Sequence, residues 1–290
     1  MRFLAISWFS SLLLVAGCAS PGIDGAPSAL GTDAAAPLVT ATGFPTVTDY
    51  ADFGPFATTN EASPAKCRIY RPETLGQGGL RHPVIVWGNG TLGFPAVYTG
   101  LFNHWASHGF VVAAANTTNA GTGEEMIACL DWVLAENARP GSAYEGRIDV
   151  ARIGASGHSQ GGGGAIMVGR DPRVIATAPL MPYTLGLGHD PASQSQQHGP
   201  MFLVSGGTDF VAVPTLNQKP VFEATNVPVF WGTLLTAGHT AALGDAGHFR
   251  GPMTAWFRAE LMGDADARAL FRDSCGLCQQ PDWKVRRKGL

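Results

Sequence analysis

From about Lys66 onward, short apolar runs alternate with stretches of helical periodicity. The strand-like runs are Cys67–Tyr70, Val84–Trp87, Phe110–Ala114, Arg152–Ala155, Val174–Ala178, Met201–Ser205 and Val229–Leu235. Several are continuous in Val, Ile and Phe, as expected of strands covered on both faces of a sheet. Helical patterns occupy Gly100–Ser107, Glu124–Asn137, Gln160–Gly169 and Met253–Met262. This alternation predicts an α/β fold: a doubly wound, mostly parallel sheet of about eight strands, with the first pair antiparallel. No internal repeat, second domain or insertion long enough for a large lid is visible, so residues 46–290 read as one domain.

The segment before that domain has a different character. Arg2 supplies a positive charge and Phe3 to Val15 an apolar run too short for a permanent membrane span. Val15-Ala16-Gly17-Cys18 closes it. Residues 1–18 thus read as an export signal, and the setting of Cys18 resembles the lipobox of bacterial lipoproteins. Lipidation of Cys18 would attach the protein to a membrane of the cell envelope; the alternative is an ordinary signal peptide cut near Ala19, giving a secreted protein. Residues 19–45, rich in Ala, Pro, Gly and Thr, read as a flexible tether.

Composition narrows the class. A chain of 290 residues with 14% charged side chains and a net charge of −3 carries no basic face for nucleic acid. Its one cationic cluster, Lys284 to Lys288, reads as a solvated tail. Four cysteines follow Cys18, and an exported chain meets an oxidising compartment. Of the three pairings they allow, Cys67–Cys129 with Cys275–Cys278 is favoured. Cys275 and Cys278 lack the second pair that a zinc site wants, so no metal is implied.

The chemistry centres on Gly157-His158-Ser159-Gln160-Gly161, a G-x-S-x-G between a strand-like and a helix-like run. That setting is a nucleophile elbow, in which a sharp turn pushes the serine hydroxyl clear of the backbone. The pentapeptide alone could equally be a Gly-rich turn whose serine caps the helix. Two other strand ends change the weighing. Asp209 follows Met201–Ser205 and His239 follows Val229–Leu235, the carboxyl ends at which open parallel sheets gather ligands. The order Ser, Asp, His is that of α/β-hydrolases. Serine needs a base to remove its proton, and the base needs a carboxylate to fix its tautomer. His248 with Asp245 is a rival pair, placed at the opening of a helix instead of a strand end. The oxyanion hole should combine the N–H of Gln160 with that of Asn89, in the loop Gly88-Asn89-Gly90-Thr91, with Gly90 next in line.

These residues carry a resemblance to the bacterial cutinase-like polyester hydrolases, including poly(ethylene terephthalate) hydrolases, and to dienelactone-hydrolase relatives. Its bearers are Ala106-Ser107-His108-Gly109-Phe110-Val111-Val112, Gly157 to Gly164, Ala178-Pro179-Leu180-Met181-Pro182-Tyr183 and Gly238-His239. The resemblance implies an α/β-hydrolase fold with Ser159, Asp209 and His239 as triad and Tyr183 lining the acyl cleft. The chain departs from the family at His158 and Gln160, where Trp and Met are common. It departs again at Asn89, where an aromatic residue is common; Phe94 is the residue that could stand in for the missing wall, with Gly90 beside it.

The expectation is a secreted or lipid-anchored serine ester hydrolase, monomeric and free of cofactors, acting on small or polymeric esters. A lipase for long acyl chains is the alternative within enzymes. A catalytically inactive binding module on the same fold is the alternative outside them.

Overall fold

The computed structural model describes residues 39–290. Nine strands form one sheet: β1 Thr58–Ala62, β2 Cys67–Pro72, β3 His82–Gly88, β4 Val111–Ala115, β5 Ile148–His158, β6 Val174–Leu180, β7 Met201–Gly206, β8 Val229–Leu234 and β9 Trp283–Lys288. The helices are α1 Thr99–Ser107, α2 Glu124–Ala138, α3 Gln160–Val168, α4 Gln218–Ala224, α5 Arg250–Phe257 and α6 Ala265–Ala269. The strand order is β1-β2-β4-β3-β5-β6-β7-β8-β9. Pairings from β4 through β8 are parallel, while β1–β2, β2–β4 and β8–β9 are antiparallel. This is the α/β-hydrolase fold.

Strand β3 shows why the apolar runs are continuous. Side chains along a strand alternate between faces. Val84 and Val86 join one buried cluster with Met126, Leu130 and Val133 of α2. Ile85 and Trp87 join the other, with Leu101, Phe102 and Trp105 of α1. Trp87 packs against Phe102 and Trp105 at ring-centroid distances of 5.2 and 5.8 Å.

The described residues carry nine strands, close to the expected eight or so. β1 (TTNEA) and β9 (WKVRRK) are edge strands whose polar outer positions hid them. The cationic segment expected to be a tail is β9, paired with β8 from Val229↔Lys288 to Leu234↔Trp283. Arg286 lies over the rings of Phe222 and Trp231 at 4.7 and 5.1 Å. The expected tether also ends early. Phe44 is fully buried, 5.5 Å from the His82 ring; its N–H donates to Thr40 Oγ1 at 3.1 Å and its carbonyl accepts from Thr40 N–H at 2.8 Å. The export signal, Cys18 and residues 19–38 lie outside the described residues. Both expected disulfides are present: Cys67–Cys129 ties β2 to α2, and Cys275–Cys278 closes a tight turn before β9. Among the described residues, no helix is long and apolar enough to cross a membrane.

Candidate active site

Ser159 joins β5 to α3 with φ 56° and ψ −121°. A side-chain-bearing residue held at positive φ costs about 1–3 kcal/mol, so the surrounding structure must impose it. Backbone bonds do so: Ser159 N–H donates to the Leu180 carbonyl at 3.1 Å, and the Ser159 carbonyl accepts from Tyr183 and Gly163 at 2.8 and 3.0 Å. The turn is possible because its flanks carry no side chains. A Cβ on Gly157 would overlap the Gly161 carbonyl, and one on Gly161 would overlap the Gly88 carbonyl.

Three strand ends then converge. Ser159 Oγ lies 2.8 Å from His239 Nε2, and His239 Nδ1 lies 2.8 Å from Asp209 Oδ2. Asp209 follows β7, and its Oδ1 accepts from the N–H groups of Val211 and Ala212 at 2.8 and 2.9 Å. Burial pushes the Asp209 carboxyl upward, but the hydrogen bonds and charge of His239, with the two N–H groups, outweigh it and hold the group below the usual carboxylate range. The rival pair does not assemble. His248 is exposed, while Asp245 pairs with Arg250 and accepts from Gly247 N–H. Other buried histidines pin backbone: His82 to the Gly109 carbonyl, His104 to Tyr50, His108 to Asp52 and His189 to Gly163.

A family model described as PET hydrolase-like matches residues 45–264. The chain belongs to the PET hydrolase-like family. Cutinase est2 of Thermobifida alba is 28% identical over 188 residues, covering 60% of this chain and 59% of its own length. The bis(hydroxyethyl) terephthalate hydrolase of Streptomyces coelicolor is 28% identical over 161 residues, 53% of this chain and 48% of its own. Cutinase cut1 of Thermobifida fusca is 27% identical over 187 residues, covering 59% and 54%. The matches thus span between about half and three fifths of the length of these relatives.

In this PET hydrolase-like chain, Ser159 and His239 open onto a cleft of about 370 Å³. Its apolar lining comes from Leu92, Val97, Val211 and Leu243, and among the described residues no Asp, Glu, Lys or Arg side chain contributes. Sequence reasoning missed these four. Val211 carried a signal, two residues beyond Asp209; Leu243 carried none.

The loop after β3 borders the cleft through Gly90 and Thr91. Asn89 is fully buried, and its side-chain amide donates to the Ala115 and Thr117 carbonyls at 2.6 and 3.0 Å, turning that side chain from the cleft. Gly90 does line the cleft, and its N–H donates to Tyr98 Oη at 3.1 Å. Thr91 also lines it, and its N–H has no acceptor among the described residues. Gln160 N–H is the first of α3, a position with no partner inside the helix. The Gln160 side chain points elsewhere, donating to Asn119 Oδ1 and to the Leu187 carbonyl.

Two further residues expected at the substrate site do not line this cleft. Phe94 is half-exposed and faces a separate hollow beside Cys67, Arg68 and Asn116. Tyr183 is bound to Ser159 through its backbone, but it is not among the residues lining the cleft. His158, adjacent to the nucleophile, does line it, with its ring 4.6 Å from that of His239. Burial pushes His158 down to about 3, with the neighbouring His239 adding to the shift. Among the described residues, no group of three or more His, Cys, Asp and Glu side chains could hold a metal ion.

Proposed function

We propose that this protein is an exported serine hydrolase of carboxylic esters, with Ser159 as nucleophile, His239 as general base and acid, and Asp209 as the group that orients His239. The observation that carries this is the continuous pair of 2.8 Å contacts from Ser159 Oγ through His239 to Asp209. Asp209 accepts from His239 Nδ1–H, which leaves Nε2 bare and facing the serine hydroxyl. His239 then takes the Ser159 proton as Oγ bonds to the ester carbonyl carbon. The resulting oxyanion is stabilised by the N–H of Gln160 and, in place of Asn89, by the N–H of Thr91. Protonated His239 returns the proton to the departing alkoxide as the C–O bond breaks. Water repeats the sequence on the acyl-enzyme, releasing the acid and restoring Ser159.

The substrate reading rests on the lining. An apolar cleft without charged side chains favours uncharged esters with apolar acyl groups. Similarity to cutinases and to a bis(hydroxyethyl) terephthalate hydrolase supports polyesters and their soluble ester fragments as the class. The two disulfides support export. Hydrolysis of p-nitrophenyl butyrate by wild type and by Ser159→Ala tests the core of this reading. Loss of turnover by several orders of magnitude is expected; near-full activity in the variant would overturn it.

A further inference from the structure

Beside the triad lies a second hydrogen-bonded chain, and every direction in it is fixed by chemistry. Gly90 N–H can only donate, so Tyr98 Oη accepts it at 3.1 Å. The His239 carbonyl can only accept, so His158 Nε2, 3.0 Å away, carries the proton. With the proton on Nε2, Nδ1 of a neutral imidazole is an acceptor. Tyr98 O–H, 2.9 Å from that nitrogen, therefore donates to it. The chain runs from the loop after β3, through a buried phenol and a buried imidazole, to the backbone of the triad histidine.

We propose that Tyr98 and His158 are positioning residues, which hold the loop bearing the second oxyanion donor at a set distance from the loop bearing the base. The proposal rests on the esterase reading above. Tyr98 is 1% exposed and wedged against Trp87 at 5.0 Å, so its hydroxyl has little freedom. A Cβ on Gly90 would lie 3.1 Å from both Tyr98 Oη and His158 Nδ1, so glycine is what allows the loop to close over the pair. The same segment grips the base loop a second time, through Gly244 N–H and the Val97 carbonyl at 2.8 Å. Oxyanion donors and base act on one substrate carbon, and misplacement by about 1 Å costs about a hundredfold in rate. His158 also offers a neutral face to His239, so the imidazolium formed during turnover meets no second charge.

The test combines kinetics with a readout that needs no substrate. Tyr98→Phe keeps the ring and removes the hydroxyl; His158→Phe keeps a flat ring and removes both nitrogens. Each is expected to lower kcat on p-nitrophenyl butyrate at least tenfold, with Tyr98→Phe leaving KM within about twofold. Rates are taken per active site, counted by fluorophosphonate labelling of Ser159. Because the two residues belong to one chain, the double variant should be no slower than the slower single. Ring-nitrogen NMR at pH 7 should show the His158 signals, identified by their loss in His158→Phe, as protonated at Nε2 and bare at Nδ1. The proposal is overturned by a Tyr98→Phe enzyme within twofold of wild-type kcat, by effects that multiply in the double variant, or by a proton on Nδ1. If wild type neither hydrolyses the ester nor labels, the esterase reading fails, and the NMR result still decides the hydrogen-bonded chain.

Discussion

Asp209→Asn changes one side-chain group, and the structure says which way the new amide must turn. Oδ1 receives two backbone N–H groups, those of Val211 and Ala212, while Oδ2 faces only His239 Nδ1. Turning the amide nitrogen toward the two N–H groups would set donors against donors. At about 1–3 kcal/mol for each buried group left unsatisfied, that arrangement costs about 2–6 kcal/mol. The amide oxygen therefore stays on the Val211 side, and the NH₂ faces His239. Nδ1 must then accept, which moves the imidazole proton to Nε2, where it points at Ser159 Oγ. The histidine becomes a donor to the group it should deprotonate. A triad locked in that tautomer loses about 10⁴ in kcat, equivalent to about 5 kcal/mol of barrier. The assay is kcat on p-nitrophenyl butyrate for the variant, with a thermal melt in parallel. The melt should move little, because both backbone bonds to the residue survive. A folded variant that keeps more than a tenth of wild-type kcat would refute the assignment of Asp209.

Three other outcomes are expected. Burial pushes His108 and His158 down to about 3 and His104 to about 4, so the folded protein holds all three neutral where the unfolded chain protonates them. Their stability is therefore intact above about pH 6.5 and lost as pH falls: about 1.4 kcal/mol each at pH 5.5, about 4 in all, read as a lowered urea midpoint that an unchanged midpoint would contradict. Replacing Cys67 and Cys129 by Ala opens a closure of 62 residues, worth about 4 kcal/mol in loop entropy, whereas Cys275–Cys278 spans only 3 and is worth about 1.6; equal losses of Tm would count against this account. Gly161→Ala should leave little folded, active enzyme, because its methyl meets the Gly88 backbone and not a movable side chain; a soluble variant with wild-type activity would show that β3 and α3 can separate.

The parts of this molecule that were legible in the sequence are those where one residue type has one use. Small residues around Ser159 announce a turn that larger ones forbid, and Asp209 and His239 stand directly after apolar runs. Edge strands were illegible for the opposite reason. β9 only half-buries Trp283, Val285 and Lys288 and leaves Lys284, Arg286 and Arg287 exposed, so its composition matches that of a loose end. Phe44, among Ala, Pro and Thr, was hidden because a single aromatic anchor leaves no periodicity. The setting of Asn89 was illegible for a subtler reason. Its side-chain acceptors, the carbonyls of Ala115 and Thr117, lie at the end of β4 and just beyond it. Long-range contacts of that kind leave no local mark.

The glycine run of α3 has a consequence for how this protein can change. Gly161, Gly162, Gly163 and Gly164 each press against a different stretch of main chain: Gly88, Pro182, Tyr183 and Ala120. A Cβ on Gly162 would lie 2.8 Å from Pro182 Cα, and one on Gly163 would lie 2.5 Å from the Tyr183 carbonyl oxygen. At roughly 1 kcal/mol of helix propensity for each glycine, the run is a poor helix in isolation, kept because nothing larger fits. The floor beneath the serine is therefore backbone, and mutation has no side chains there to alter. Apart from His158, Tyr98 and the proposed triad, the side chains free to vary along this cleft are those of Thr91, Leu92, Val97, Val211 and Leu243. A mutational library confined to those positions searches nearly all of the variation this cleft can express.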